Sequence, residues 1–540
     1  ENRRITVDSP DIISGEMFGQ FKIKELLKLT ENSLGRIYAN YTPHEVTPDQ
    51  HLEFNFAIYN QIAEIIDERL QISANTFIKG QIETDELGFQ LNLSSPRISY
   101  DGYYAKNLSL QLDNANPIFN TYIEADSLNL AGYKVSNFNL LNVTKRDSLF
   151  VKTDFKGGKH SKDNYDLSLY YTIEEDGKSV VGFKKSDLIF KGYEWFINSE
   201  KNLKNKVTFD KSFSQFDISE IRLNQGSEDM LISGKVEDSL TKNISLDFNN
   251  VELAKITPDL DSLEMRGRVN GLLNLAQTEG TYSPTSTLEI AELEVNDYNL
   301  GELKTFIIGD NSLTRYDVEV NLENNGIKNI DAGGYIEVGV NNPKIDVDIA
   351  FKNFLLDPLS PLGEGVISNI RGLVSGDAKV SGSLKKPDID GELLLDKAGL
   401  KIPLLNVDFI FDFDSRVTLE KQRFVFNNVA MTDSEFFSRG FLNGFISHNN
   451  FSDWRLGLDL STERLLVLNT VESDELYYGT VFVDGTAKIN GPTYQLVIDV
   501  EATTSSGTVF NIPLKDTEEI GDNTYINFLS PEEKKLRVEG

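Results

Sequence analysis

The amino-acid sequence predicts an all-β protein with short helical insertions, and the stretch Arg371–Ser415 shows why. The end of this stretch alternates between apolar and acidic side chains, with Ile410 as the exception, which places the two kinds on opposite faces of an extended chain. The apolar positions are Val407, Phe409, Phe411 and Phe413, and the acidic ones are Asp408, Asp412 and Asp414. Turns between successive strands are indicated by Gly376, Gly382, Pro387, Gly391 and Gly399.

The same alternation recurs along the chain and predicts many further strands, each with one apolar and one polar face. Around residue 320 the apolar positions are Val318, Val320 and Leu322, and around residue 347 they are Ile345, Val347 and Ile349. Near the C-terminal end they are Trp454, Leu456, Leu458 and Leu460. Polar side chains occupy the positions between them, so each strand is expected to bury one face only.

Helices are expected in few places. An apolar stripe with acidic residues opposite predicts a helix over residues 55–71, interpreted either as a plug at the mouth of a groove or as an ordinary cap on a core. Before it, Arg3 to Tyr41 is strand-like but irregular. Three short helices are predicted before glycine-containing strand pairs, at Val251–Ile256, Phe354–Leu362 and Glu463–Leu468. Aligning the pairs on Gly271, Gly376 and Gly485 indicates a repeat of roughly a hundred residues.

Composition excludes several classes of function. The 540 residues include 53 Lys and Arg against 84 Asp and Glu, a net charge of -31, which argues against a nucleic-acid partner and against an anionic membrane surface. There is no cysteine, so disulfides and cysteine-based sites are excluded. No signal peptide and no apolar run long enough to span a membrane is evident. The sequence is interpreted as an internal segment of a longer chain.

No catalytic or metal-binding constellation is recognised. The four histidines, His44, His51, His160 and His448, lie in no nucleophile arrangement, and His44 and His51 are expected at the surface. The pairs Asp346/Asp348 and Asp412/Asp414 fit the polar face of a strand better than a calcium or acid–base site. We therefore expect a protein that is not an enzyme, without cofactor or metal.

Strands with one apolar face have to bury that face, and the sequence is compatible with three architectures that do so. A two-sheet sandwich, a barrel, or one long sheet folded lengthwise into a trough would each do so. The length without linkers and the repeat that does not close favour the trough. Its apolar lining would suit acyl chains, since each buried methylene contributes about 0.8 kcal/mol.

The C-terminal residues then point to a family. Phe437–Leu514, beginning FSRGFLNGFISHNN, resembles the C-terminal region of TamB proteins, and Lys515–Phe528 resembles the versions found in Bacteroidota. Ser283–Gly301 and Ser375–Leu395 are similar in style to the family's repeats. TamB proteins belong with the AsmA-like, bridge-type lipid transfer proteins. The resemblance therefore implies an elongated, twisted, taco-shaped β-sheet groove.

The resemblance also implies a function and partners. It implies phospholipid transport in the periplasm between the inner and outer membranes, with an N-terminal inner-membrane anchor outside this sequence. It further implies docking of the C-terminal end to an Omp85-type, TamA-like outer-membrane barrel. Divergent groove repeats are expected over 1–260, repeats over 261–370 and 371–478, and the start of a C-terminal repeat over 479–540.

The expected lipid-contacting residues are the alternating apolar positions themselves. They are Val318, Val320, Leu322, Ile345, Val347, Ile349, Val407, Phe409, Phe411, Phe413, Trp454, Leu456, Leu458 and Leu460. A single charge in such a lining, as in Phe411→Glu, is expected to obstruct passage. The alternatives left open are a tether or assembly factor for outer-membrane β-barrel proteins, and a closed cell-surface solenoid.

Overall fold

Antiparallel β-strands make up most of the chain in the computed structural model. The structure describes residues 2–9, 12–35, 42–59, 67–84, 88–116, 118–130, 133–145, 148–158, 161–257, 264–338, 342–363, 366–450, 452–471 and 477–512. The all-β prediction with short helical insertions is confirmed.

The strands are numbered in chain order. The first seventeen are β1 Arg3–Ser9, β2 Ile13–Gln20, β3 His51–Ile58, β4 Leu70–Ile72, β5 Thr76–Glu83, β6 Phe89–Tyr100, β7 Tyr103–Asp113, β8 Thr121–Leu130, β9 Tyr133–Lys145, β10 Ser148–Gly157, β11 Asp163–Ile173, β12 Ser179–Phe183, β13 Ser186–Phe190, β14 Tyr193–Ile197, β15 Lys206–Phe209, β16 Phe216–Gln225 and β17 Glu228–Val236. The others are β18 Lys242–Glu252, β19 Met265–Thr278, β20 Thr281–Val295, β21 Tyr298–Gly309, β22 Arg315–Asn324, β23 Ile327–Glu337, β24 Lys344–Leu355, β25 Ser368–Ser383, β26 Lys386–Ile402, β27 Val407–Phe411, β28 Ser415–Lys421, β29 Arg423–Asp433, β30 Arg439–Asn449, β31 Ser452–Thr470, β32 Tyr478–Pro492, β33 Val497–Thr504 and β34 Val509–Asn511.

Helical turns are short. The α-helices are α1 Leu26–Gly35 and α2 Leu253–Ile256, and the 3-10 turns are Ile23–Glu25, Asp357–Gly363 and Pro403–Leu405. The chain divides into two units: unit 1 contains 1–352 and 379–387, and unit 2 contains 353–378 and 388–540. Each unit is described by itself below.

Strands pair mainly with their neighbours in sequence, which makes each unit a meander. In several places two short strands lie end to end beside one long strand. In unit 1, β4 and β5 both pair with β6, and β14 and β15 both pair with β16. In unit 2, β27 and β28 lie end to end between β26 and β29. Because the two short strands are separate, each can run in its own direction. The two ends of the sheet at that point can therefore be oriented differently.

Two short sequence motifs occur together three times along the chain, and the structure shows how each of them shapes the backbone. The first motif, Phe-x-Asn followed by Val or Phe, occurs at 248–251, 351–354 and 426–429. The second, Arg-Gly-x-x-x-Gly, occurs at 266–271, 371–376 and 439–444. The third copy of this motif lies at 439–444, in a different strand pair from the one aligned on Gly485.

The asparagine of the first motif forms a bulge on its strand. Asn250, Asn353 and Asn428 have φ of 54°, 51° and 51°. Each donates its backbone N–H to a polar side chain of the second motif, with distances of 2.8 Å to Asn270 Oδ1, 2.9 Å to Ser375 Oγ and 2.7 Å to Asn443 Oδ1. Asparagine tolerates this left-handed conformation, and bulges bend a strand and increase its twist. The repeat is therefore a repeated bend in the sheet.

The second glycine of each Arg-Gly motif allows the neighbouring strand to approach closely. A Cβ at Gly271, Gly376 or Gly444 would lie 2.0–2.1 Å from a backbone carbonyl oxygen of the adjacent strand. All three have φ between 108° and 141°, a region that other residues avoid. The same glycine conformation and the same close approach occur in all three copies, which indicates that their local geometry is the same.

We expect the bulge at Asn428 to tolerate glycine but not a β-branched residue. Asn428→Val should destabilise unit 2 by about 1–2 kcal/mol because an L side chain resists the left-handed conformation, whereas Asn428→Gly should be nearly neutral. Urea denaturation of the two variants measures the difference. Equal stability of the two would contradict the bulge as the reason for this asparagine.

Each unit contains an apolar cluster that packs its own strands together. In unit 1, α1 lies over one end of the sheet, with Leu29 buried against Phe21, Leu52, Ile82, Phe89 and Leu112. In unit 2, a larger cluster joins β25–β32. Its buried members are Val374, Leu395, Ala398, Val407, Phe409, Phe411, Val417, Phe426, Val429, Met431, Leu465, Leu466 and Phe482. Strands β27 and β29 also contact β31, which closes this part of unit 2 on itself.

Two helix predictions were wrong and one helix was missed. Residues 55–58 belong to β3 and 70–71 to β4, so the helix over 55–71 is absent there; 60–66 lie outside the described residues. The period-two pattern of Phe54, Phe56 and Ile58 prevails because β5 pairs along it. The helix expected over 463–468 is part of β31, whereas the helical turns near 251–256 and 354–362 are confirmed. Helix α1 lies inside the stretch expected to be strand-like.

Candidate functional site

One face of strands β16–β24 in unit 1 is an apolar surface, which we call the apolar floor. Cross-strand register defines it, because directly paired residues point to the same face. One row across the nine strands is Ile221, Ile232, Leu246, Leu273, Ser286, Ile307, Val318, Gly334 and Val347. The next row is Leu223, Met230, Phe248, Gly271, Leu288, Thr305, Val320, Ala332 and Ile349.

The predicted residues of β22 and β24 lie on this floor. Val318 and Val347 flank Gly334, and Val320 and Ile349 flank Ala332. The sequence-based list omitted the floor residues of β16–β21, although the same alternation marks several of them. They were missed because a single strand does not reveal which strands it pairs with.

Burial shows that the apolar floor is only partly covered. Val318, Val320, Val347 and Ile349 are each half-buried, although they lie in the middle of their strands. The interior of a two-sheet sandwich would bury such positions fully. Moreover, the described strands of this region make extended contacts only with their sheet neighbours and α2. The floor is therefore a one-sided apolar surface, with Leu322 buried at its edge.

The opposite face of the same strands is charged. Asp346 and Asp348 alternate with the floor residues of β24, and Lys379 Nζ lies 2.6 Å from Asp346 and 3.5 Å from Asp348. The prediction that this pair lies on the polar face is confirmed. Such exposed pairs contribute little stability, and their role is to keep this face in water.

Short helix α2 is fixed at one end of the apolar floor by a buried ion pair. Lys255 Nζ lies 2.6 Å from Glu228 Oε1 and 2.7 Å from Gln225 Oε1, and its charge stands 5.5 Å from the ring centroid of Trp195. Both members of the ion pair are almost fully buried. Removing Glu228 would leave the buried Lys255 charge without its carboxylate, which costs about 3–5 kcal/mol, whereas Glu228 is also paired with Arg268 at 3.5 Å. The pair is a structural anchor with its hydrogen-bonding capacity occupied.

The predicted residues of unit 2 have a different environment. Val407, Phe409 and Phe411 are buried in the packed cluster, where other side chains already surround them. The strand ends at Phe411: Phe413 lies in the following turn and is 73% exposed. Its expected place on the buried face was wrong, because Asp412–Ser415 forms a turn in which Asp414 has φ of 59°.

The remaining predicted residues lie on β31. Leu456 is buried, and Leu458 and Leu460 pack against the cluster of unit 2. Trp454 stacks on Phe424, with ring centroids 6.3 Å apart, and lies 5.1 Å from the ring of His448. These side chains share one face of unit 2. Whether they contact a ligand stays a prediction.

Histidines supply no metal site among the described residues. His44 Nε2 lies 3.0 Å from Glu31 Oε2, and His51 is exposed on β3. His160 lies outside the described residues. His448 is buried, and burial lowers its pKa below the ordinary histidine value of 6.5. Within the described residues no helix is long and apolar enough to cross a membrane.

The buried His448 predicts a pH dependence of stability. Because its pKa is lower in the folded state, the unfolded chain binds the proton more tightly, and the stability present above pH 6.5 should fall as the pH drops below that value. We expect the melting temperature to fall between about pH 7.5 and about pH 5.5, and to fall less in His448→Phe, whose ring can pack on Phe424 and Trp454. An equal fall in both proteins would rule out this histidine as the cause.

Comparison with known proteins identifies the C-terminal segment. Residues 438–539 match the family model described as the TamB C-terminal domain. This match confirms the resemblance over that segment. Searches of curated proteins and of solved structures found no match.

Proposed function

We propose that this chain, which carries a TamB C-terminal domain at 438–539, binds the acyl chains of phospholipids on the apolar floor and conducts them between membranes. The TamB family is associated with the cell envelope, with roles in outer-membrane assembly or lipid transport. The observation that carries the finer proposal is the floor itself: a one-sided apolar surface, continuous across nine strands, whose central residues are half-buried.

Three features support lipid over another occupant. Most floor residues are aliphatic, and the two central rows contain no charged side chain, so the surface favours hydrocarbon over a charged polymer. The net charge of -31 disfavours nucleic acid. The rows run from strand to strand, so an acyl chain could move along the sheet without meeting a charge. Movement of this kind would need no catalytic residue, and we propose that the chain is not an enzyme.

Location and partners are part of the proposal. A bridge between membranes would place this segment in the periplasm, with an inner-membrane anchor and an Omp85-type, TamA-like barrel at the two ends. The TamB C-terminal domain supports an outer-membrane connection in general. A pull-down with the barrel of the same organism, with and without residues 438–540, tests that part separately.

Site-specific photo-crosslinking tests lipid binding at the floor. A photo-reactive phenylalanine analogue replaces Val347 on the floor or Ala350 on the exposed, opposite face of β24. We expect phospholipid adducts at Val347 only, because only that position faces the apolar surface. Equal adducts at both positions, or none at Val347 in a folded protein, would contradict the proposal.

A second function, assembly or tethering of β-barrel proteins, is favoured by one observation. Strand β33 is exposed along its whole length, and β34 lies end to end with it on β32. Exposed strands pair readily with a strand of another chain. A proline at Ile498 should abolish crosslinks to a client strand if this function operates, and should leave lipid adducts at Val347 unchanged.

A further inference from the structure

A row of tyrosines follows one edge of unit 1, and each lies where a hairpin turns. Tyr100 and Tyr103 pair across the β6–β7 turn, Tyr133 begins β9, Tyr193 begins β14 and Tyr298 begins β21. In an antiparallel meander, alternate hairpins turn at the same edge. The β6–β7, β8–β9, β13–β14 and β20–β21 hairpins all turn at this one. We call it the tyrosine edge; it is formed by the ends of strands and their turns, not by an outer strand of the sheet.

The rings of Tyr133, Tyr193 and Tyr298 face the apolar side of the sheet. Residues two apart on a strand share a face, and the residues two positions inward are Val135, Trp195 and Leu300, all of them buried. The tyrosines themselves are 37–45% exposed. The rings of Tyr133, Tyr193 and Tyr298 therefore lie where the apolar face meets water.

The opposite edge of unit 1 has different chemistry. Loops there expose the apolar side chains of Ile118, Phe213 and Leu240, which are 53–70% exposed, beside polar residues such as Asp210 and Asp238. A tyrosine ring combines an apolar body with a hydroxyl that prefers water or a polar partner, and such side chains gather at boundaries between hydrocarbon and water. Among the described residues of unit 1, every tyrosine whose ring is more than a third exposed lies at the tyrosine edge, so exposed amphipathic rings distinguish this edge from the opposite one.

We propose that the tyrosine edge holds the glycerol and head-group end of a bound phospholipid, with the acyl tails lying along the strands toward the opposite edge. This inference rests on the proposed function and adds an orientation to it. Strand β21 has 12 residues and spans about 40 Å at about 3.3 Å per residue. One leaflet of a bilayer's hydrocarbon core is about 15 Å thick, half of about 30 Å, so a tail that starts at Tyr298 ends near Leu303.

Contacts of the tyrosine rings fit an edge that is ordered before lipid arrives. The Tyr133 and Tyr165 hydroxyl groups lie 3.1 Å apart, and the Tyr100 hydroxyl donates a hydrogen bond of 3.3 Å to Asp67. The charge of Lys255 stands 5.3 Å from the ring centroid of Tyr193. These rings are held in place, so a lipid would lose little energy in ordering them.

Crosslinking with a mapped lipid adduct tests the orientation. The photo-reactive residue replaces Tyr298 or Leu303 in the full chain, which is loaded from phosphatidylethanolamine vesicles, and mass spectrometry locates each adduct on the lipid. We expect head-group and glycerol adducts to be enriched severalfold at Tyr298, and tail-end adducts at Leu303. The same distribution at both positions, or the reverse one, would overturn the orientation.

A second measurement needs no change in the tyrosine edge or the apolar floor. Trp195 lies one step inward from Tyr193, so in a Trp454→Phe protein its fluorescence should be quenched more by lipids brominated near the carboxyl end than by lipids brominated near the methyl end. Equal or reversed quenching overturns the orientation alone if Val347 still crosslinks to lipid. If neither probe nor Val347 detects lipid, the proposed function fails as well.

Discussion

Leu288→Glu is expected to slow lipid transfer by about tenfold or more, because a carboxylate on the path of an acyl chain adds at least about 1.4 kcal/mol to the barrier. Leu288 lies in a central row of the apolar floor, between Gly271 and Thr305. It is half-buried, so the new carboxylate can reach water and the fold should persist. The measurement is the transfer rate of a fluorescent phospholipid between donor and acceptor vesicles.

The neighbouring residue supplies the control. Thr287 is exposed on the opposite face of the same strand, so Thr287→Glu adds the same charge at the same point of the chain without touching the floor. We expect its transfer rate to equal that of the unchanged protein. Equal slowing by the two variants would show a general effect of charge, and unchanged transfer by Leu288→Glu would remove the floor from the path.

Phe411→Glu is expected to destabilise unit 2 by about 3–5 kcal/mol, because it removes a buried aromatic side chain and introduces a buried charge. Phe411 belongs to the packed cluster of unit 2. The sequence alone predicted a different outcome, obstruction of a groove in a folded protein. Burial changes that expectation, since a variant that unfolds unit 2 says nothing about passage.

The same substitution two residues later is the matched control. Phe413 is 73% exposed in the turn, so Phe413→Glu should change the stability by no more than about 0.5 kcal/mol. The two tryptophans report the units separately in urea denaturation, Trp195 for unit 1 and Trp454 for unit 2. Equal stability of the two variants would mean that the cluster does not hold unit 2 together.

Alternation predicted many of the strands and the face of several of them. It placed Val318 and Val347 on an apolar face and Asp346 and Asp348 on the polar one, because the side-chain period of a strand is fixed. It failed at Phe413, where a turn interrupts the period without any glycine or proline to mark it. A period of two looks the same in both units, so it could not distinguish the half-buried floor from the packed cluster.

The repeated bend could not be predicted from the sequence, for a different reason. Its parts, the asparagine of one strand and the polar acceptor of the next, are separated by 15 to 22 residues, a spacing that varies between copies. Only the hydrogen bond shows that they belong together. Helix α1 was likewise hidden, because its burial depends on β3, β5 and β6 rather than on its own periodicity.

The most direct test of lipid binding by the apolar floor is to count the phospholipids that co-purify with the chain. They are extracted without detergent exchange and quantified by mass spectrometry. A half-buried apolar floor predicts several phospholipids per chain, and fewer in Leu288→Glu than in Thr287→Glu. A lipid-free chain, against a buffer control, would mean that the apolar faces are satisfied by the protein itself, and it would contradict the account.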